Sequence, residues 1–171
     1  MSEPTIITTS TLSTPVGDLA LYARGDALCG LVFVDRGERL HAYLRGRFGD
    51  VVYRPARNPG GAHDRVRDYL DGDLRALDDI AVDLGGTAFQ ARVWAALRQI
   101  PLGATCSYGE LARAVGSAAA VRAVGAANGA NPVSIVVPCH RVVAADGKLH
   151  GYGGGLPRKQ WLLQHEGALL V

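Results

Sequence analysis

One stretch of this chain carries a thiol, an imidazole and a guanidinium in succession: Pro138-Cys139-His140-Arg141. Apolar runs flank it, Ile135-Val136-Val137 before and Val142-Val143 after. Runs of that kind read as buried strands or core-lining segments. A thiol becomes a nucleophile as the thiolate. A neighbouring imidazole can take its proton, and the fixed charge of Arg141 favours the anion. The same residues also fit a structural cysteine packed beside a core histidine, because free Cys is among the most buried residue types. Glu166 is the carboxylate to set against this pair. It falls in the final turn of the last predicted helix, where the negative end of the helix dipole disfavours it. An imidazole such as His140 would compensate; a solvated Glu at a frayed helix end fits equally well.

The rest of the composition narrows the chemistry. The 171 residues are 48% apolar, enough for one good core or two small ones. Three cysteines at wide spacing, Cys29, Cys106 and Cys139, disfavour a disulfide framework and fit a reducing cytoplasm. No CxxC or HxxxH spacing occurs, so no metal and no cofactor are expected. No window is apolar enough to cross a bilayer, and Met1-Ser2-Glu3-Pro4 lacks the features of a signal peptide. Charge divides unevenly. Residues 1–86 hold 10 Lys+Arg against 13 Asp+Glu, net −3; residues 87–171 hold 8 against 3, net +5. The second half is therefore the face for a polyanion.

The elements that must position the thiol fall into two groups. Residues 5–11 and 19–34 predict strands, the latter split by a Gly25-Asp26 hairpin turn. Residues 37–48 predict a helix, residues 54–61 a Pro/Gly loop, and Val66, Tyr69 and Leu70 a second short helix stopped at Gly72. Ile80-Ala81-Val82 reads as an edge strand. This is a small α/β domain with an antiparallel sheet, over residues 1–86, with no chemistry of its own. Cys29, His41 and His63 read as a core thiol and surface imidazoles. Gly85-Gly86 is the expected boundary to a mostly α-helical domain over residues 87–171.

There, Thr87 with Gln90 forms a capping box ahead of a helix over 88–99, and Ser107 with Glu110 forms another ahead of Tyr108. Gly116 breaks that second helix, and a third runs from near Ser117 to about Asn128. Helix, short turn, helix is the outline of a helix-turn-helix. The third helix carries one long polar side chain, Arg122, among Ala and Gly, including Ala123 and Gly125. A helix that reads major-groove bases needs several polar side chains. This one fits close approach to a nucleic-acid backbone by shape with little sequence readout, or burial as a close-packed core helix. Asn131-Pro132 marks a turn into the Cys139 stretch. After it, Gly151-Tyr152-Gly153-Gly154-Gly155 forms a glycine loop that lets backbone approach a ligand closely, though a phosphate cradle or plain linker would look the same.

Residues 131–142, Asn-Pro-Val-Ser-Ile-Val-Val-Pro-Cys-His-Arg-Val, resemble the active-site motif of the O6-alkylguanine-DNA alkyltransferase family. The resemblance continues through 105–110, 120–125, 151–154 and 162–167, in order, and covers essentially all of residues 87–167. It implies Cys139 as the alkyl acceptor, His140 as the base acting through a bound water, and Glu166 as the carboxylate that orients the imidazole. It implies Asn131 as the hinge between the helix-turn-helix and the active-site turn. Arg122, with Ala123 and Gly125 on the same helix, would contact DNA, the arginine filling the gap left by a flipped base. Tyr108 would rotate the target phosphate and help hold the base, and the backbone around Val142, with Tyr152 and Gly153, would form the guanine pocket. Some relatives carry Ser where this chain has Gly153, and some bind zinc through N-terminal ligands absent here.

The implied partner is double-stranded DNA, entered through the minor groove with little sequence specificity; cooperative binding along DNA is open. The implied reaction is a single-use transfer from O6-methylguanine, with O4-methylthymine a second candidate lesion. Two other readings use the same residues. A cysteine hydrolase would turn over, and a damage-binding module would bind without transfer.

Overall fold

The computed structural model describes residues 3–169, which form two compact units, one ending at Gly85 and one beginning at Gly86. In the first unit, strands β1 (Thr5–Leu12), β2 (Leu19–Arg24) and β3 (Ala27–Phe33) precede helix α1 (Glu38–Phe48), strand β4 (Val51–Pro55) and helix α2 (Ala62–Leu70). The sheet order is β3-β2-β1-β4. The β1–β2 and β2–β3 pairs are antiparallel, but β4 lies parallel to β1, with Ile6 opposite Val52. The sheet is thus mixed, correcting the antiparallel expectation. The chain returns to β1 through α1, and a parallel neighbour requires a crossover of this kind. Residues 80–82 contribute one isolated bridge, Leu28 to Val82, where an edge strand was expected.

β2 is buried through its first five residues, as suits a strand covered on both faces. On one face Ile7, Ala20, Tyr22 and Cys29 pack with Leu40 and Leu44 of α1. Burial pushes the Cys29 thiol up to about 11, which makes it an inert packing group. The two imidazoles are structural as well. His41 Nε2 lies 2.9 Å from the Tyr22 hydroxyl, and His63 Nδ1 lies 2.9 Å from Ser10 Oγ.

The second unit holds α3 (Ala88–Leu97), the short strand β5 (Cys106–Ser107), α4 (Tyr108–Ala114), α5 (Val121–Gly129), a 3-10 turn (Cys139–Arg141), β6 (Val142–Val143) and α6 (Leu156–His165). Both capping boxes form: Thr87 and Gln90 exchange hydrogen bonds at the start of α3, as do Ser107 and Glu110 at the start of α4. Helix α5 begins at Val121, later than the expected Ser117. Ala120 N instead donates to Ser117 O at 2.8 Å in a turn, and no side chain caps the helix. Buried Trp94 of α3 donates from Nε1 to Ala127 O of α5 at 2.8 Å, fixing the two helices together. Gly86 takes φ +83° beneath that ring; a Cβ there would meet the indole at 2.6 Å. Among the described residues no helix is long and apolar enough to cross a membrane.

Candidate active site

The stretch from Asn131 to Val143 is buried but mostly irregular, because its backbone doubles back twice. Val136 N donates to Ser134 O at 2.8 Å, a three-residue turn around Ile135 at φ +72°. That conformation is strained for a β-branched residue. Cys139 N closes a second such turn onto Val137 O at 2.8 Å. Asn131 clamps both. Its Oδ1 accepts from Val133 N at 3.0 Å, and its Nδ2 donates to Val137 O at 2.8 Å. The 3-10 turn that follows presents Cys139, His140 and Arg141 in different directions, since each residue advances about 120°. Parallel pairing of Cys106 with Val142 and Ser107 with Val143 then holds this turn beside the first residue of α4, Tyr108.

The imidazole faces away from solvent. His140 and the Glu166 side chain are fully buried, with Nε2 3.0 Å from Glu166 Oε2. Arg141 reaches the same carboxylate through Nε at 2.8 Å and Nη2 at 3.0 Å, and donates from Nη1 to Ile100 O at 2.8 Å. Burial would raise the Glu166 pKa, but the bonds from His140 and Arg141 outweigh it and hold the carboxyl at about 2. Burial lowers the His140 pKa against the pull of Glu166. A neutral imidazole beside an ionised carboxylate carries its proton on Nε2. Nδ1 is then a bare acceptor, buried and without a hydrogen-bond partner in the protein. The frayed-end alternative for Glu166 is excluded by this burial. So is the expected service of Arg141 to the thiolate, because its guanidinium is taken up by Glu166.

Cys139 is 7% exposed, and burial raises its pKa; Asn131, Lys159 and nearby backbone N–H groups pull the other way. It sits in a cavity of about 160 Å³ shared with Tyr108, Gly125, Asn131, Tyr152 and Gly153. Asn128, Gly129, Ser134 and Gly151 complete the lining. Burial raises the Tyr108 pKa, so its phenol stays protonated and can donate. The Tyr152 hydroxyl is buried, facing Ser134 without ordinary hydrogen-bond geometry. Of the expected residues, Cys139, Tyr108, Asn131, Gly125, Tyr152 and Gly153 line this cavity, His140 and Glu166 pair with each other outside its lining, and three more lie apart from it. Val142 is buried in β6 and lines no part of the cavity. Arg122 and Ala123 lie on the exposed side of α5, whose Val124, Ala127 and Asn128 face inward. Helix α5 is thus only half a core helix, and its arginine is presented outward.

Lys159 of α6 was missed. It is fully buried, and its Nζ donates to His150 O at 2.9 Å and Gly151 O at 3.1 Å. Tyr108 Oη donates to the same His150 carbonyl at 3.1 Å. The glycine loop is therefore tied at its start to two helices. The signal lay in helical spacing, since Lys159, Leu162, Leu163 and Glu166 share one face.

Residues 88–168 match the family model for the 6-O-methylguanine DNA methyltransferase DNA binding domain. The chain is 57% identical over 116 residues to the methylated-DNA–protein-cysteine methyltransferase of Salmonella typhimurium, covering 68% of each. It is 46% identical over 164 residues to the enzyme of that name from Mycolicibacterium paratuberculosis, covering 91% of this chain and 90% of that one. The fold is similar to the crystal structure of Mycobacterium tuberculosis OGT in complex with DNA, with a TM-score of 0.79 at 42% identity over 95% of this chain and 93% of that one.

Proposed function

This chain belongs to the methylated-DNA–protein-cysteine methyltransferase family, and from that premise we propose that Cys139 takes the alkyl group from O6-alkylguanine flipped out of duplex DNA. One observation carries the reading: a buried thiol opens on a cavity lined by Tyr108 and Tyr152 while the next residue, His140, is locked to an ionised Glu166. His140 Nδ1 accepts the thiol proton through a water, which would give this buried nitrogen the partner it lacks within the protein. The thiolate attacks the alkyl carbon. An S–C bond forms as the C–O6 bond breaks, and the electron pair leaves on guanine, which takes a proton donated from the Tyr108 side. The product is a thioether. No group in the cavity hydrolyses it, so each molecule acts once.

Helices α4 and α5 serve as a helix-turn-helix laid along the minor groove, with Arg122 entering the duplex where the base has left. Ala123 and Gly125 present a small-residue surface to the backbone, and binding has little sequence preference. Asn131 couples α5 to the Cys139 turn through its two clamp bonds. Tyr108, Tyr152 and Gly153, with backbone near Val142, hold the base. O4-methylthymine is a second candidate substrate, and the cytoplasm is the expected compartment. Intact-mass measurement after mixing with O6-methylguanine duplex tests the reading. One methyl per wild-type molecule, none on Cys139→Ala and no turnover are expected. Catalytic turnover would point to a hydrolase, and binding without mass gain to a damage-recognition module.

A further inference from the structure

A fully buried lysine without a carboxylate is unusual, because an unpaired ammonium in a low-dielectric interior is costly. Among the described residues, Lys159 forms no ion pair with an acid. Its Nζ is bound by two neutral carbonyls, of His150 and Gly151. Glu166, two turns further along the same helix, is occupied by His140 and Arg141. Gly151, whose carbonyl the lysine holds, lines the same cavity as Cys139. We propose that Lys159 is the positioning residue that both fixes the glycine loop at the cavity and supplies the cation that favours the Cys139 thiolate, the task that Arg141 does not perform. The anion that completes this buried pair exists only while the thiol is ionised.

The electrostatics around the ammonium run in the same direction. Burial lowers the Lys159 pKa to about 8, and the one charge that pulls it back up is Cys139. Lys159 in turn lowers the pKa of Cys139 and of His140. Tyr108 meets it only through the shared His150 carbonyl and stays protonated. The influence on His140 has a direction too: a nearby cation keeps the imidazole neutral and so able to accept a proton.

The inference rests on Cys139 being the nucleophile, but it is tested without DNA. Carboxamidomethylation by iodoacetamide, followed by peptide mass mapping, separates Cys139 from Cys29 and Cys106. In Lys159→Met, Cys139 should react at least about tenfold more slowly at neutral pH, one pKa unit or more. The gap should close at strongly alkaline pH, where the thiol ionises in both proteins. Lys159→Arg should restore the wild-type profile. Lys159→Gln, which keeps a donor for the loop, should behave like Lys159→Met in its pH profile. An unshifted profile in both uncharged variants overturns the proposal, and so does a slowing equal at every pH, which would mark a purely structural role. Methyl transfer from O6-methylguanine duplex forms a separate arm. If the wild type takes no methyl while the iodoacetamide shift persists, the DNA reading fails and the lysine assignment stands.

Discussion

Glu166 accepts hydrogen bonds from His140 Nε2 and from Arg141 Nε and Nη2, inside a unit where its own side chain has no exposure. Removing that charge strands a guanidinium whose side chain is 11% exposed. Glu166→Gln should therefore destabilise the protein by about 3–5 kcal/mol in urea unfolding. The pH dependence has a definite sign. The carboxyl's pKa is lowered from 4.5 to about 2 on folding, so its contribution is complete above pH 4.5 and is lost as pH falls toward 2. The His140 pKa is lowered from 6.5, so unfolding takes up a proton and stability already declines below pH 6.5. The Gln variant should lose the lower of these two phases in an acid titration. The His140–Glu166 pair was legible because a carboxylate at a helix C-terminus needs a compensating partner. The destination of Arg141 was not. Nearness in sequence to Cys139 suggests a shared direction, whereas each residue of a 3-10 turn is rotated by about 120° from the next, so the two side chains diverge.

The Cys139 turn depends on an element that has no regular structure. Ile135 holds a strained backbone at φ +72° with its side chain 1% exposed, so packing and the Asn131 clamp must together outweigh the strain. Asn131→Ala removes both clamp bonds while leaving the apolar packing in place. It should cost about 2 kcal/mol, at roughly 1 kcal/mol for each hydrogen bond, and be read as a lower Tm. Carboxamidomethylation of Cys139 should also slow, because the Cys139–Val137 turn loses its anchor. Unchanged stability and unchanged thiol reactivity would remove Asn131 from the machinery. Sequence pattern resolved the capped helices well, since Thr87/Gln90 and Ser107/Glu110 are local signals satisfied locally. It missed β4, where Val51-Val52-Tyr53 is a three-residue signal beside two prolines. Of its two readings of 135–137, buried strand or core-lining segment, only the second holds, because periodicity is silent about turns that involve a single residue.

Charge separates the two units, with net −3 before the boundary and +5 after it. The positive unit also carries the outward-facing Arg122 and the small-residue surface of α5. Attraction of such a surface to duplex DNA is dominated by phosphate contacts, which release counterions in proportion to the phosphates neutralised. Affinity for an unmodified duplex should therefore fall steeply and linearly on a log–log plot as salt rises, and should change little between duplexes of shuffled sequence. Arg122→Ala tests how the arginine contributes. Because the side chain is exposed, stability should stay within about 0.5 kcal/mol of wild type. An arginine that rests on phosphate would reduce the salt slope by about 1 without other effect. One that enters the duplex in place of the flipped base should instead slow methyl transfer from O6-methylguanine duplex far more than it weakens binding. Its removal should leave carboxamidomethylation of Cys139 untouched, since that reaction requires no base to leave the stack. Equal losses in binding and transfer would assign Arg122 to phosphate contact alone and leave the opening of the duplex to another group.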